Sequence, residues 1–361
     1  MTRNHFFIIA LFCITAVLGL SFSPKSKNEY RLKAITLAQG DDYAKQWAVV
    51  DSLDKKGLPK SALEEVKKIM GLAIRDNNGP QIIKATIYSM KYNTYLEEDD
   101  YVLALNELNK LAENSTSPQK EMVHSITAEV YWGYYLSNRY KFLNRTNTVE
   151  FKNEDIRTWD LKTLSQRITY HYLLSLANSE VTKKITTESY APVINAGDRS
   201  EKLRPTLYDF IAHRAIDFFR STEFDVTRPA ITFVLDKPEY FNEASRFATE
   251  KLSTSDSLST KFYALYLFKE LTAFHQGDAD PAAAIVLDLE RLQFVKSQST
   301  LPNKDTLYYA ALKNLENKYK TNPYVSEVQY AIASAHVAMS VAYNPLLPEN
   351  AASKNQYNIA L

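Results

Sequence analysis

From Tyr43 onward the apolar positions of this chain recur three and four residues apart, the spacing that gathers them on one face of an α-helix. Trp47, Val50 and Leu53 mark a first helix over 43–56. Gly57-Leu58-Pro59 stops it and opens a second over 60–76, with Leu63, Val66, Ile69, Met70 and Ala73 on one face. Glycine ends helices because left-handed backbone angles cost it nothing, and proline opens them because its fixed φ and missing N–H suit the first turn. Asn77-Asn78-Gly79-Pro80 then opens a third helix with Ile82, Ile83, Ile87 and Met90, which runs to the acidic turn Glu97-Glu98-Asp99-Asp100. A fourth covers 101–114 with Leu103, Leu105, Leu108 and Leu111. Ser117-Pro118 opens a fifth, rich in Tyr131, Trp132, Tyr134, Tyr135, Tyr140 and Phe142.

Two signals return along this stretch. Gly79-Pro80-Gln81 reappears as Ser117-Pro118-Gln119, and Pro59–Leu63 has a loose echo at Asp100–Leu105, so a helical hairpin recurs every ~38 to 42 residues. That period belongs to helical solenoids of the tetratricopeptide or a related kind, whose hairpins bury their apolar faces only against their neighbours. The far end follows the same design, with hairpins of 261–276 with 281–297 and of 305–320 with 325–343. In the last pair Ala311, Leu312, Leu315, Tyr319, Pro323, Tyr330 and Ala333 sit much as the small, large and turn-forming residues of a tetratricopeptide pair do. Between the ends the pattern loosens. The stretch 186–204 is rich in polar residues and turn formers, and Arg228-Pro229 followed by Ala230–Leu235 reads as a strand. Around the helical segment 205–220 we therefore expect an irregular insert that admits a short β-hairpin.

The predicted fold is all-α, a superhelical array of α-hairpins of tetratricopeptide-like solenoid type. The expected organisation is a signal peptide over 1–23, an N-terminal hairpin array over 30–145, an irregular helical middle region over 146–245 and a C-terminal hairpin array over 246–361. The polar cluster from Asn144 to Asp155 marks the first boundary. Asn355–Leu361 reads as the start of another amphipathic helix without its partner, so a truncated array is expected.

Composition agrees with helices packed on helices: eight glycines and 24 tyrosines in 361 residues, 45% of them hydrophobic. Scarce glycine disfavours phosphate-cradling loops and tight hairpins of strands. Forty-three basic and 42 acidic side chains nearly cancel, which leaves no electrostatic case for nucleic acid or an anionic membrane as partner. Arg3 followed by the uncharged run Phe6–Phe22 and then Ser23-Pro24-Lys25-Ser26 has the layout of a secretory signal. At about 17 residues the run is also near the lower limit of a membrane span, so an uncleaved anchor is a second reading. Lipidation of Cys13 is a third, although Phe12 is bulky where such a signal takes a small residue. Cys13 is the one cysteine, and its removal with the signal would leave neither disulfide nor thiolate chemistry.

The most tempting chemistry is Asp209, His213 and Asp217, four apart and so stacked along one helical face beside Tyr208 and Arg214. Two carboxylates around an imidazole can hold a metal or tune a base, and a hydrolase centred on these three residues is one reading. The bland reading is hydrogen bonding or ion pairing beside a wide apolar face of Leu207, Phe210, Ile211, Ala215, Ile216, Phe218 and Phe219. His124, His171, His275 and His336 fall in separate helices with no second ligand at a recognised spacing. Glu97–Asp100 and Asp278-Ala279-Asp280 lack the alternating oxygen donors and central glycine of a calcium loop. Asn114-Ser115-Thr116 and Asn144-Arg145-Thr146 have the form of glycosylation acceptors. No phosphate loop, Gly-x-Ser-x-Gly elbow or His-Glu-x-x-His pair occurs. The residues assign no catalytic group, cofactor or metal, and the chain reads as a non-enzyme.

Several strings carry a resemblance: Trp47–Leu53 through Lys56–Leu63, Val130-Tyr131-Trp132, Asn144-Arg145-Thr146, and Arg204–Phe210. They resemble the N-terminal helical region of large alpha-2-macroglobulin-like proteins of Bacteroidetes-type bacteria, a likeness that covers most of the chain after the signal. It implies a periplasmic or cell-surface protein whose later β-sandwich domains trap or inhibit proteases, often with a thioester. No Cys-Gly-Glu-Gln string is present, so no thioester or bait residue carries over. The function expected is an exported, non-catalytic scaffold or protein-interaction region, with partners in the remaining domains of the same polypeptide, an envelope protein or proteases. A free-standing repeat protein that recognises a peptide or glycan is the alternative. Membrane contact is expected only through an uncleaved signal.

Overall fold

The computed structural model describes residues 41–96, 101–143, 155–224, 232–341, 343, 346 and 353–360. The signal segment, Glu97–Asp100, Asn144-Arg145-Thr146 and Arg228–Ile231 lie outside the described residues. Among those described the architecture is all-α. The helices are α1 (Asp41–Lys55), α2 (Pro59–Arg75), α3 (Gly79–Leu96), α4 (Tyr101–Asn114), α5 (Gln119–Leu143), α6 (Leu161–Ser175), α7 (Ser179–Thr182), α8 (Ser200–Leu203) and α9 (Leu207–Phe219). They continue as α10 (Ala244–Phe247), α11 (Thr260–His275), α12 (Ala282–Gln298), α13 (Lys304–Lys318), α14 (Val325–Val341) and α15 (Gln356–Ala360), with 3₁₀ turns at Ile156–Thr158, Thr187–Tyr190 and Pro238–Phe241. No helix among them is long and apolar enough to cross a membrane.

Two compact units emerge, Met1–Asp198 with Thr206–Ile211, and Arg199–Pro205 with Ala212–Leu361. In the first, α1 packs on α2, α2 on α3, α4 on α5 and α5 on α6. The turns between the first helices follow from their sequences. Gly57 has φ +69°, its N–H donates to the Asp54 carbonyl at 2.9 Å, and the Leu58 N–H donates to the Leu53 carbonyl at 3.0 Å. This is a Schellman closure, and the carbonyl of Leu58 at once accepts the Ala62 N–H to begin α2. Asn77, with φ 49°, repeats the device: its N–H reaches the Ile74 carbonyl and that of Asn78 the Ala73 carbonyl. The Asn78 side chain then accepts the Gln81 N–H at 3.3 Å. Helix reversal this tight brings Trp47, Val50, Val66, Ile69, Ala73, Ile82 and Tyr92 into one buried cluster. Ala62, Ala73 and Ala85 receive the larger side chains in it. The Trp47 indole N–H donates to Gln81 at 2.8 Å, so the ring's polar edge is satisfied where its faces are buried.

Helix α6 falls in the irregular helical middle region expected over 146–245. Asp160 opens it by accepting the Thr163 N–H at 2.7 Å, and Leu161, Leu164, Ile168 and Tyr172 bury its face against α5.

In the second unit α11 packs on α12, α12 on α13, α13 on α14 and α14 on α15. Tyr330 is exposed, because Val328, Ala331, Ile332 and Ala335 form the buried face of α14 and Tyr330 lies off it. The expected β-hairpin is absent among the described residues, where Thr186–Thr206 and Leu235–Ser299 are isolated bridges. The Leu235 carbonyl accepts from the Thr300 N–H at 3.1 Å and the Ser299 hydroxyl at 2.9 Å. Its backbone is thus engaged by the chain leaving α12, and no second strand pairs with it.

Candidate functional site

Asp209, His213 and Asp217 all lie on α9, where their surroundings differ. Asp209 is fully buried, and its carboxylate accepts both the Thr206 N–H (2.9 Å) and the Thr206 hydroxyl (2.7 Å). The Asp209 N–H returns a hydrogen bond to the Thr206 oxygen at 3.2 Å. This reciprocal pair is a capping box with aspartate as its acid, and it satisfies two backbone donors at the start of α9. The carboxylate most attractive as an acid or base therefore has a helix-capping role. Asp217, two turns on, is exposed.

His213 instead meets a residue from a different helix. Its Nε2 lies 4.0 Å from a carboxylate oxygen of Glu290 on α12, and its side chain is 5% exposed. Burial pushes the Glu290 carboxyl above its ordinary range and the nearby Asp217 charge adds to this, while the guanidinium groups of Arg204 and Arg220 pull it down. The result is a mixed-charge cluster in which imidazole and carboxyl come from α9 and α12, and the cations from the residues that precede and follow α9. At this separation the two form an ion pair when the imidazole is protonated, without a direct hydrogen bond. Glu290 lies 77 positions from His213 and shares no motif with it, so sequence spacing carries no sign of the contact.

A second histidine contact is equally invisible in the spacing. His124 on α5 and His171 on α6 lie with their Nδ1 atoms 3.2 Å apart, both buried. One ring must carry its proton on Nδ1 and the other on Nε2, since a hydrogen bond between like atoms needs opposite tautomers. Tyr131 stacks on Trp159 at 5.6 Å and sits 5.5 Å from His171, and the Tyr172 hydroxyl donates to Glu129 at 3.1 Å. Burial holds both imidazoles well below the usual histidine range, His124 at about 4 and His171 at about 3. Both rings are therefore neutral at neutral pH.

The remaining candidates make pairwise bonds within their own hairpins or with the next helix. His275 pairs with Asp278 at 2.6 Å across the end of α11, and Asp280 accepts the Ala282 N–H at 3.1 Å to start α12. His336 contacts the Tyr309 hydroxyl at 3.2 Å and Gln356 at 2.6 Å. The Asn114 side chain donates to the Lys110 carbonyl at 2.8 Å. Arg291, not singled out from sequence, is fully buried. It donates to Asp288 at 2.7 Å, to the carbonyls of Tyr240 and Asn242, and stacks 4.3 Å over Phe247. It ties the 3₁₀ turn Pro238–Phe241 and α10 to α12.

Among the described residues no group of three or more histidine, cysteine or acidic side chains is arranged to hold a metal ion. Comparison with protein-family models, with curated proteins and with solved structures finds no match to this chain.

Proposed function

We propose that this chain is a non-catalytic helical scaffold, exported to the periplasm or cell surface, that forms the N-terminal part of an alpha-2-macroglobulin-like protease inhibitor. Its partners are then the inhibitory domains of the same polypeptide or a protein of the envelope, and its hairpins form a tetratricopeptide-like array. The observation that supports the reading is how the polar side chains are used. Asp209, Asp160, Asn78 and Asp280 all accept backbone N–H groups at helix starts, and Arg291 bonds backbone carbonyls. Helices whose apolar faces cover one another and whose polar groups close their own ends suit a surface for protein contact.

The test is the coding frame downstream of the Leu361 codon. A frame that continues into successive β-sandwich modules supports the proposal. A stop codon there would overturn it and leave a free-standing repeat protein.

A further inference from the structure

Within the first unit, α3 and the chain that follows the 3₁₀ turn Thr187–Tyr190 enclose a cleft of about 190 Å³. It is lined by the apolar residues Ile87, Ala191, Pro192, Val193 and Ile194 and by the polar residues Lys84, Tyr88 and Asn195. Among the described residues none of these three side chains makes a hydrogen bond or ion pair with the protein. Such a combination, apolar residues with a few polar groups that make no hydrogen bond to the protein, is the composition of small-molecule sites.

Lys84 is held in place by aromatic faces. Its Nζ lies 4.4 Å from the centre of the Trp47 ring and 5.9 Å from that of Tyr88. The indole is itself fixed by its bond to Gln81, and it packs 4.7 Å from Tyr88. Burial pulls the Lys84 ammonium below its ordinary range, and the exposed Asp51 carboxylate offsets part of this without reaching ion-pair distance. Burial likewise raises the Tyr88 phenol, with help from Asp51 and Asp54, so its hydroxyl keeps its proton and remains a donor. A half-buried ammonium and a phenol beside an aliphatic wall are complementary to an anion with a short alkyl tail. A dry cavity of about 150 Å³ admits benzene, so the cleft accommodates roughly six to nine heavy atoms.

We propose that this cleft binds an aliphatic carboxylate, with the carboxylate against Lys84 and Tyr88 and a branched alkyl end on Ile87, Pro192, Val193 and Ile194. Two sources carry that chemistry: a free short-chain acid and the C-terminal residue of a peptide chain. The site rests on the first unit alone and is independent of the scaffold reading, so a stop codon after Leu361 leaves it untouched.

Titration of the chain with isoleucine δ1-methyl labels tests it by NMR, with sodium isovalerate, isovaleramide, acetyl-Gly-Leu and acetyl-Gly-Leu amide as probes. At least one acid is expected to shift the Ile87 and Ile194 methyls saturably, and its amide to bind at least tenfold more weakly. Lys84→Met should weaken the acid at least tenfold, Lys84→Arg should retain it, and Tyr88→Phe, which removes only an oxygen, should weaken it about threefold. Tighter binding of acetyl-Gly-Leu assigns the site to chain termini, and binding of isovalerate alone assigns it to free acids. Amides that bind as well as acids, no saturable shift with either acid, or unchanged affinity in both Lys84→Met and Tyr88→Phe would overturn the proposal. Unchanged thermal unfolding of the variants separates lost binding from lost fold.

Discussion

The buried histidine pair makes stability depend on pH in a direction that follows from its protonation states. Unfolded, His124 and His171 titrate near 6.5. Folded, burial holds them at about 4 and about 3, with like-charge repulsion added by Lys120 at His124 and by His124 and Arg167 at His171. Well above pH 6.5 both rings are neutral in both states and the pair carries no penalty. Below it the unfolded chain takes up protons that the folded chain refuses, so stability falls between about pH 6.5 and 3. Urea unfolding midpoints should therefore drop from pH 7 to pH 4, and the double variant His124→Leu/His171→Phe should flatten that part of the profile. Arg291 makes a second prediction. Replacing it by methionine leaves Asp288 buried without its cation and two carbonyls without donors, a loss of about 3–5 kcal/mol in denaturant unfolding. Neither site is legible in the sequence. His124 and His171 are 47 positions apart, Arg291 meets carbonyls 49 and 51 positions away, and a helical period says nothing of which faces meet.

The helices themselves are more readable, because their signals are local. The bounds of α4 coincide with the expected 101–114, and α2, α9 and α11 through α14 lie within a few residues of expectation. Gly57 and the Asn77-Asn78 pair punctuate the chain through backbone angles and caps that the residue types alone dictate. Gly57→Ala, which forces a Cβ into φ +69°, should cost about 1 kcal/mol in equilibrium unfolding. One local signal has a role other than the one expected of it. Thr206-x-x-Asp209 is a capping-box pattern whose acid also fits a catalytic stripe; Asp160 with Leu164, Ile168 and Tyr172 builds α6 within the irregular helical middle region expected over 146–245. The strand expectation at 230–235, of which 232–235 are described, rests on β-branched and aromatic composition. Composition cannot supply the neighbouring strand that a ladder needs.

For the molecule as a whole, burial between consecutive helices implies that a local defect stays local. Ile69 is fully buried in the α1–α3 cluster, and Ile69→Ala should cost about 2–5 kcal/mol of local stability. Hydrogen exchange should then accelerate in α1, α2 and α3 while α11–α14 keep their protection; uniform acceleration along the chain would show global coupling instead. The sequence by itself determined the class of structure and its punctuation, since the spacing of apolar residues, the glycine and asparagine stops and the proline starts act within one turn of chain. Only the tertiary structure decided that His213 meets Glu290, that His124 meets His171, and that Lys84 shares a cleft with a segment more than a hundred positions away. These contacts depend on which helical faces are brought together, and many pairings of amphipathic helices satisfy the same periodicity.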